Sequence, residues 1–312
     1  MYQLFLLMLL SASAFAQVFS ESARTEFFGG IGFRIFYGQI NKTQFFVDGN
    51  KRDDPNAPEV FVNAVPAALV YGVSPGLSLI GVFPMLRRTL KRTIIRRTAE
   101  RTINSVPLSD TDVGIGDIIF FAKYRLFKKT AFLRSRQLSL QAGIKLPTGA
   151  DDLRDELGIR LPAPLQLGSG SVDYRLALTF TEARNRLQFF GDAGYTLKTS
   201  ANNFEFGDVF NYDATVRYRI FPAKYGADFP THDLFLFMEI NGVFAQKAKS
   251  SGIKLTNSGG NQIFIAPGFQ FLLLNNLVVE AGIQLPVFQD LNGAQLGTDF
   301  AFRSGLRWIL LP

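Results

Sequence analysis

The chain has 312 residues, 47% hydrophobic and 19% charged, with 32 Phe, 28 Gly, one His and no Cys. That balance excludes a disordered or collagen-like polymer and leaves no disulfide, thiolate nucleophile or Cys-ligated metal. The formal charge of +7 is local: residues 87–101 hold seven Lys/Arg and one Glu, so they carry +6 of it, which is a patch rather than a surface built for nucleic acid.

Residues 1–16 read as a secretory signal peptide. The apolar run Leu4 to Leu10 is followed by Ala14-Phe15-Ala16, an A-x-A cleavage site before Gln17, and the run is too short to span a membrane. The remaining chain, 17–312, has no apolar stretch near the ~20 residues of a spanning helix. It is expected to form one barrel domain, since neither an internal repeat nor a Pro- or Ser-rich linker divides it.

A two-residue period dominates the rest of the chain. Strands are expected near 26–37, 59–73, 77–86, 113–126, 137–146, 171–182, 187–198, 209–221, 232–245, 260–273, 277–286 and 298–309. In the eighth, Asn211, Asp213, Thr215, Arg217 and Arg219 share one face, while Phe210, Tyr212, Ala214, Val216, Tyr218 and Ile220 share the other. One side is wet and the other oily. Pro66 and Pro84 interrupt the second and third segments, and without that hairpin ten strands would remain.

Most of these segments reach the ~9 to 11 residues that a tilted spanning strand needs, whereas soluble strands average about 5 to 6. The connections are alternately long and short: 21, 26, 24, 10, 14 and 11 residues against 3, 10, 4, 10 and 3. Short periplasmic turns, long external loops and an even strand number are the marks of an antiparallel up-and-down transmembrane β-barrel. The expectation is therefore an all-β barrel of about 12 strands, exported to the bacterial outer membrane after cleavage behind Ala16. A soluble sandwich would share the alternation but not the strand lengths.

The wet faces carry Asp117, Lys123, Arg125, Lys145, Asp173, Arg175, Asp192, Asp213, Arg217, Arg219, Asp233, Glu239, Glu280, Asp299, Arg303 and Arg307. In a barrel these line the lumen. Two readings stay open: cationic rows facing carboxylates could select passing solutes, or the charges could pair and fill a narrow interior. Residues 87–101 read as an external loop in which Arg87, Arg88, Lys91, Arg92, Arg96, Arg97 and Arg101 contact lipid phosphate, because guanidinium forks bind phosphate in bidentate fashion. The alternative is a solvated loop. It contains no aromatic residue on which bases could stack, so no nucleic-acid partner is expected.

No catalytic centre, metal site or cofactor is expected. His232 falls in a periplasmic turn beside Thr231 and Asp233, and Asp53-Asp54 and Asp151-Asp152 lie in polar loops without a ligand ladder. Gly168-Ser169-Gly170 lacks the Lys of a P-loop.

Several stretches together resemble a family of bacterial outer-membrane barrels described as putative MetA-pathway of phenol degradation. They are Gly114 to Asp117, Lys145 to Gly149, Leu165 to Tyr174 (LQLGSGSVDY), Phe204 to Asp208, Asn257 to Phe271 and Gln284 to Leu296. The resemblance implies an outer-membrane barrel that passes small, hydrophobic or aromatic compounds, with no catalytic residues. One departure is that Trp308 is followed by Ile309-Leu310-Leu311-Pro312, where such barrels end on an aromatic residue. The expected function is thus a passive channel or uptake protein for small molecules, whose partners are outer-membrane lipid, lipopolysaccharide, the barrel-assembly machinery and a small-molecule solute. The alternatives are a structural or lipopolysaccharide-binding barrel with a plugged lumen, and an outer-membrane hydrolase.

Overall fold

The computed structural model describes residues 18–97, 103–155, 157–224, 232–273 and 276–310. The expected signal peptide at 1–16 and Arg101 lie outside them. In chain order the strands are β1 (Ile31–Lys42), β2 (Gln44–Val47), β3 (Asn50–Arg52), β4 (Glu59–Ser74), β5 (Leu77–Arg97), β6 (Ile103–Ile115), β7 (Ile119–Ala131), β8 (Arg134–Lys145), β9 (Asp173–Arg184), β10 (Leu187–Leu197), β11 (Ser200–Ala201), β12 (Phe204–Glu205), β13 (Val209–Phe221), β14 (His232–Ala245), β15 (Lys249–Ser250), β16 (Ile253–Lys254), β17 (Gly260–Leu273), β18 (Leu277–Leu291), β19 (Ala294–Gly297) and β20 (Phe300–Leu310).

Twelve of these close into an antiparallel ring in the order β1, β4, β5, β7, β8, β9, β10, β13, β14, β17, β18, β20 and back to β1. Closure leaves the ring no edge strand. The long connections gather at one rim, where β2, β3 and β19 form one small sheet and β11, β12, β15 and β16 another. At the opposite rim β7 meets β8, and β9 meets β10, through two-residue turns in which Leu133 and Asn185 take positive φ.

Pro66 and Pro84 do not break the wall, because they stand directly opposite each other in the β4–β5 register. Residues so paired can point their N–H and C=O groups away from one another. The missing donors then face the outer neighbours, and those ladders have gaps there. β1 and β4 pair on either side of Phe36 and Tyr37, and β5 changes partner between Val82 and Met85.

That change of partner departs from the expected strand 113–126. The upper part of β5 pairs with β6 and the lower part with β7, separated at residues 116–118, where the Gly116 N–H donates to the Pro84 carbonyl at 2.8 Å. β6 stands outside the ring as a thirteenth strand of the sheet. The expected loop at 87–101 is also corrected: β5 runs on to Arg97. Its charges disguise a strand, since β-branched Thr89, Thr93, Ile94 and Ile95 are interspersed among the Arg and Lys residues. Likewise β1 starts at Ile31 rather than 26, because Phe27 to Gly30 form a turn closed by a 2.9 Å bond from the Gly30 N–H to the Phe27 carbonyl.

Side chains alternate across the wall. On β9, Asp173, Ala177, Thr179 and Thr181 are buried, whereas Tyr174, Leu176 and Leu178 are about half exposed. Phe83, Phe120, Phe210, Tyr218, Leu236 and Trp308 extend the outer apolar surface around the ring. A continuous belt of this kind in water would far exceed the few hundred Å² of apolar patch that soluble monomers tolerate; hydrocarbon is its solvent. No described helix is long and apolar enough to cross a membrane. The crossing is made by strands.

Candidate functional site

The interior is built in three tiers. The first is the N-terminal segment Val18 to Glu26, which runs along the inside of the wall and meets the ring strands in turn. The Val18 carbonyl accepts from Arg303 of β20 at 3.2 Å, and the Phe19 N–H donates to Glu239 of β14 at 3.5 Å. Ser20 shares a hydroxyl contact of 2.7 Å with Thr215 of β13, and the Glu21 N–H donates to Asp192 of β10 at 2.8 Å. The Ser22 carbonyl accepts from Lys123 of β7 at 2.8 Å, while Ala23 donates to Thr181 of β9 at 2.9 Å and accepts from Ser139 of β8 at 2.6 Å. Last, the Glu26 N–H donates to Ser78 of β5 at 2.8 Å.

Apart from a single bridge position at Glu21, this segment joins no strand ladder among the described residues, so its backbone groups need other acceptors and donors. The polar inner rows supply them. Ser20, Glu21 and Ser22 are fully buried, and the Glu21 carboxylate lies 3.3 Å from Lys123 and 3.6 Å from Arg175. The segment is a plug in the lumen.

Beside the plug, Arg34 and Glu280 form a 2.6 Å ion pair with neither side chain exposed, and Gln270 donates to the second Glu280 oxygen at 2.6 Å. Arg217 donates to Gln188 and Gln270 and lies between the rings of Phe190 and Phe235. This tier is built of buried side chains that bond to one another across the lumen.

The outer tier is the connection 146–172, folded inward beneath the long loops. Leu161 and Leu165 pack on Phe45, Val60, Val62, Leu90 and Leu296, and Leu167 packs on Ala64 and Leu86. Gln166 ties the fold of this lid: its amide donates to the Leu161 carbonyl at 2.8 Å and its carbonyl accepts from the Leu153 N–H at 2.7 Å. Gly149 and Gly168 allow the two ends to touch, since a Cβ on Gly168 would collide with the Gly149 carbonyl. Asp155 fastens the lid to the wall, 2.6 Å from Arg92 of β5. Burial raises its pKa, but the Arg92 hydrogen bond and the N–H groups of Ile159 and Leu157 outweigh that and hold the carboxyl below its usual range.

Between plug and lid lies a cavity of about 150 Å³. Phe36, Ile40, Pro66, Leu86, Phe121 and Leu167 give it apolar walls. Its charged lining is Arg88, Asp117, Lys145, Asp173, Arg175, Lys198 and Arg303, five cationic residues against two acidic ones. Lys145 is held by Asp117 at 2.8 Å and Asp173 at 3.0 Å, Lys198 by Asp173 at 2.8 Å, and Arg175 donates to Asn211 at 2.5 Å.

Of the residues expected to line the lumen, Lys123, Asp173, Arg217, Arg219, Glu239 and Glu280 are buried on inner rows, and Arg175, Asp213, Arg303 and Arg307 are half-buried there. Lys145 is half-buried at the upper end of β8, and Arg125 donates to Thr25 at 3.2 Å. Asp117 sits in the break between β6 and β7, where it accepts from the N–H groups of Gly149 at 3.1 Å and Ser169 at 2.9 Å. Asp299 is a correction. It precedes β20 at the outer rim and accepts from the Thr43 N–H and hydroxyl, both at 2.9 Å, because the chain must turn there before re-entering the wall.

The basic patch is also corrected in part. Arg87 and Lys91 are exposed, but Arg88 is buried and Arg92 reaches Asp155 and Asp110, since alternate residues of a strand face opposite sides. The side chains of Arg96 and Arg97 lie outside the described residues, as does all of Arg101. His232 opens β14 and is exposed rather than lying in the turn itself.

A family described as "Putative MetA-pathway of phenol degradation" matches residues 62–300. The chain belongs to that family. No curated protein matches it. Among solved structures, this family member is similar to the COG4313 outer membrane channel from Pseudomonas putida F1, at 13% identity and a TM-score of 0.66, covering 92% of this chain and 98% of that one. It also matches the β domain of the Bordetella autotransporter BrkA, at 11% identity and a TM-score of 0.47, covering 90% and 99%. At these identities the likeness is one of fold.

Proposed function

We propose that this MetA-pathway family barrel is an outer-membrane channel that admits small, largely apolar solutes through the cavity between plug and lid, and that it is closed at rest. The observation that carries the reading is the cavity itself: a void of about 150 Å³ inside a transmembrane barrel, lined by both apolar and charged side chains. A cavity of roughly this size holds one benzene-sized molecule in a protein interior. The family description and the neighbour titled an outer membrane channel support the same reading. In this reading the chain is exported, is cleaved behind Ala16 and is not an enzyme, and exposed Arg87 and Lys91 meet lipid phosphate at the outer leaflet.

The plug is held by single hydrogen bonds to successive strands and is not one of the ring strands, so it can be removed without opening the ring. Planar-bilayer conductance of the mature chain should be low, and deletion of residues 17–25 should raise it at least several-fold. A variant that migrates as a folded barrel yet neither conducts nor passes solutes into liposomes would refute the channel. The plugged lumen would then favour the structural, lipopolysaccharide-binding alternative.

A further inference from the structure

Among the cations of the cavity, Arg88 differs from the rest. Lys145 and Lys198 are occupied by Asp117 and Asp173, Arg175 by Asn211 and Glu21, and Arg303 holds the plug carbonyl and stacks over Phe19 at 4.8 Å. Arg88 is only 3% exposed, and its sole side-chain hydrogen bond among the described residues is a long one, 3.4 Å, to the Pro164 carbonyl of the lid. Its Nε has no partner there. Asp112 stands opposite it across the β5–β6 pair and Asp117 lines the same cavity, yet no ion pair within 4 Å among the described residues includes Arg88. A buried guanidinium with unused donors is costly unless something supplies acceptors.

Resting on the channel reading above, we infer that Arg88 is an anchor for the carboxylate of a small aromatic or similarly sized carboxylic acid, whose apolar body fills the cavity against Leu86, Pro66, Phe121 and Leu167. A planar carboxylate matches the guanidinium fork, and the excess of positive lining charge favours an anion over a neutral solute. The cavity's size suits one ring. Leu167 and Pro164 belong to the lid, so the lid and the ligand share the same guanidinium, and opening the lid frees it.

The test is equilibrium dialysis of the mature barrel in detergent against benzoate and its neutral isostere benzamide. Benzoate should bind roughly ten- to a hundred-fold more tightly, the range of one charge-assisted contact. Arg88→Gln should bring the ratio of the two affinities near one, and Arg88→Lys should keep part of it. If Arg88→Gln fails to fold, the unmodified barrel still decides: between neutral pH and about pH 4, where the Asp155 latch holds, its benzoate binding should weaken as the acid begins to protonate, while benzamide binding should not change. Equal affinities, or a preference that survives Arg88→Gln, would overturn the inference. The two readings fail separately. Benzamide flux into liposomes with no anion preference sinks the anchor alone, whereas Arg88-dependent benzoate binding without any flux sinks the channel alone.

Discussion

The Arg34–Glu280 pair gives the sharpest energetic test of the interior. Both side chains are wholly buried at a separation of 2.6 Å, and Arg34 also stacks on the Phe36 ring at 3.7 Å. Glu280→Gln leaves a guanidinium without its counter-charge in a dry interior, and Arg34→Met does the same to the carboxylate. Each should destabilise the barrel by about 3–5 kcal/mol. The double variant Arg34→Met/Glu280→Leu leaves no charge behind and keeps most of the volume, so the desolvation penalty of both ions disappears as well. Its remaining cost is the Gln270 amide, which loses its 2.6 Å acceptor, worth about 1–3 kcal/mol. The two single costs should therefore sum to well above that of the double variant, a coupling of several kcal/mol. Reversible urea unfolding in detergent micelles, followed through the fluorescence of Trp308, the only tryptophan, measures all three. Single variants costing under about 1 kcal/mol, or a double variant as costly as the two singles added together, would show that the pair is neither dry nor coupled.

Two other perturbations address the outer surface and the lid. Leu178 is about half exposed at the middle of β9, so Leu178→Arg should cost about 2–4 kcal/mol in bilayers; a loss under about 0.5 kcal/mol on folding into vesicles would remove Leu178 from the hydrocarbon belt. Asp155 has its pKa held below the ordinary carboxylate value, so its contribution is fully present above the unfolded value of about 3.9 and is lost as pH falls through the lowered folded one. Limited proteolysis within 151–160 should stay slow from neutral pH to about pH 4 and accelerate only in stronger acid. Asp155→Asn should make it fast at every pH, and acceleration already at pH 6 would exclude Asp155 as the latch.

Much of the wall was legible because a strand's two-residue period writes its two solvents directly into the chain. The rows Asp213 to Arg219 and Tyr174 to Phe180 need no tertiary information, since each residue's environment is set by parity alone. Where charge was taken as a loop signal the reading failed: Arg87, Lys91 and their neighbours obey the same parity, and Arg88 and Arg92 turn inward with the even-numbered row. The plug left no periodic trace, because Ser20 to Ala23 are held by single contacts to different strands rather than by a ladder. Arg34 lay within an expected strand but gave no hint of Glu280, 246 residues away.

The sequence by itself determined an even-numbered barrel with an oily exterior and a polar interior, because alternation and segment length are local quantities. Only the tertiary structure decided what occupies the interior and where. Which carboxylate meets which cation depends on how strands distant in the chain fall into register around the ring, and a fold-back segment or an inward lid is stabilised by contacts that no local pattern encodes. The same reason leaves Arg88, one of seven cations in a basic run, as the one at the cavity wall without an ion-pair partner among the described residues.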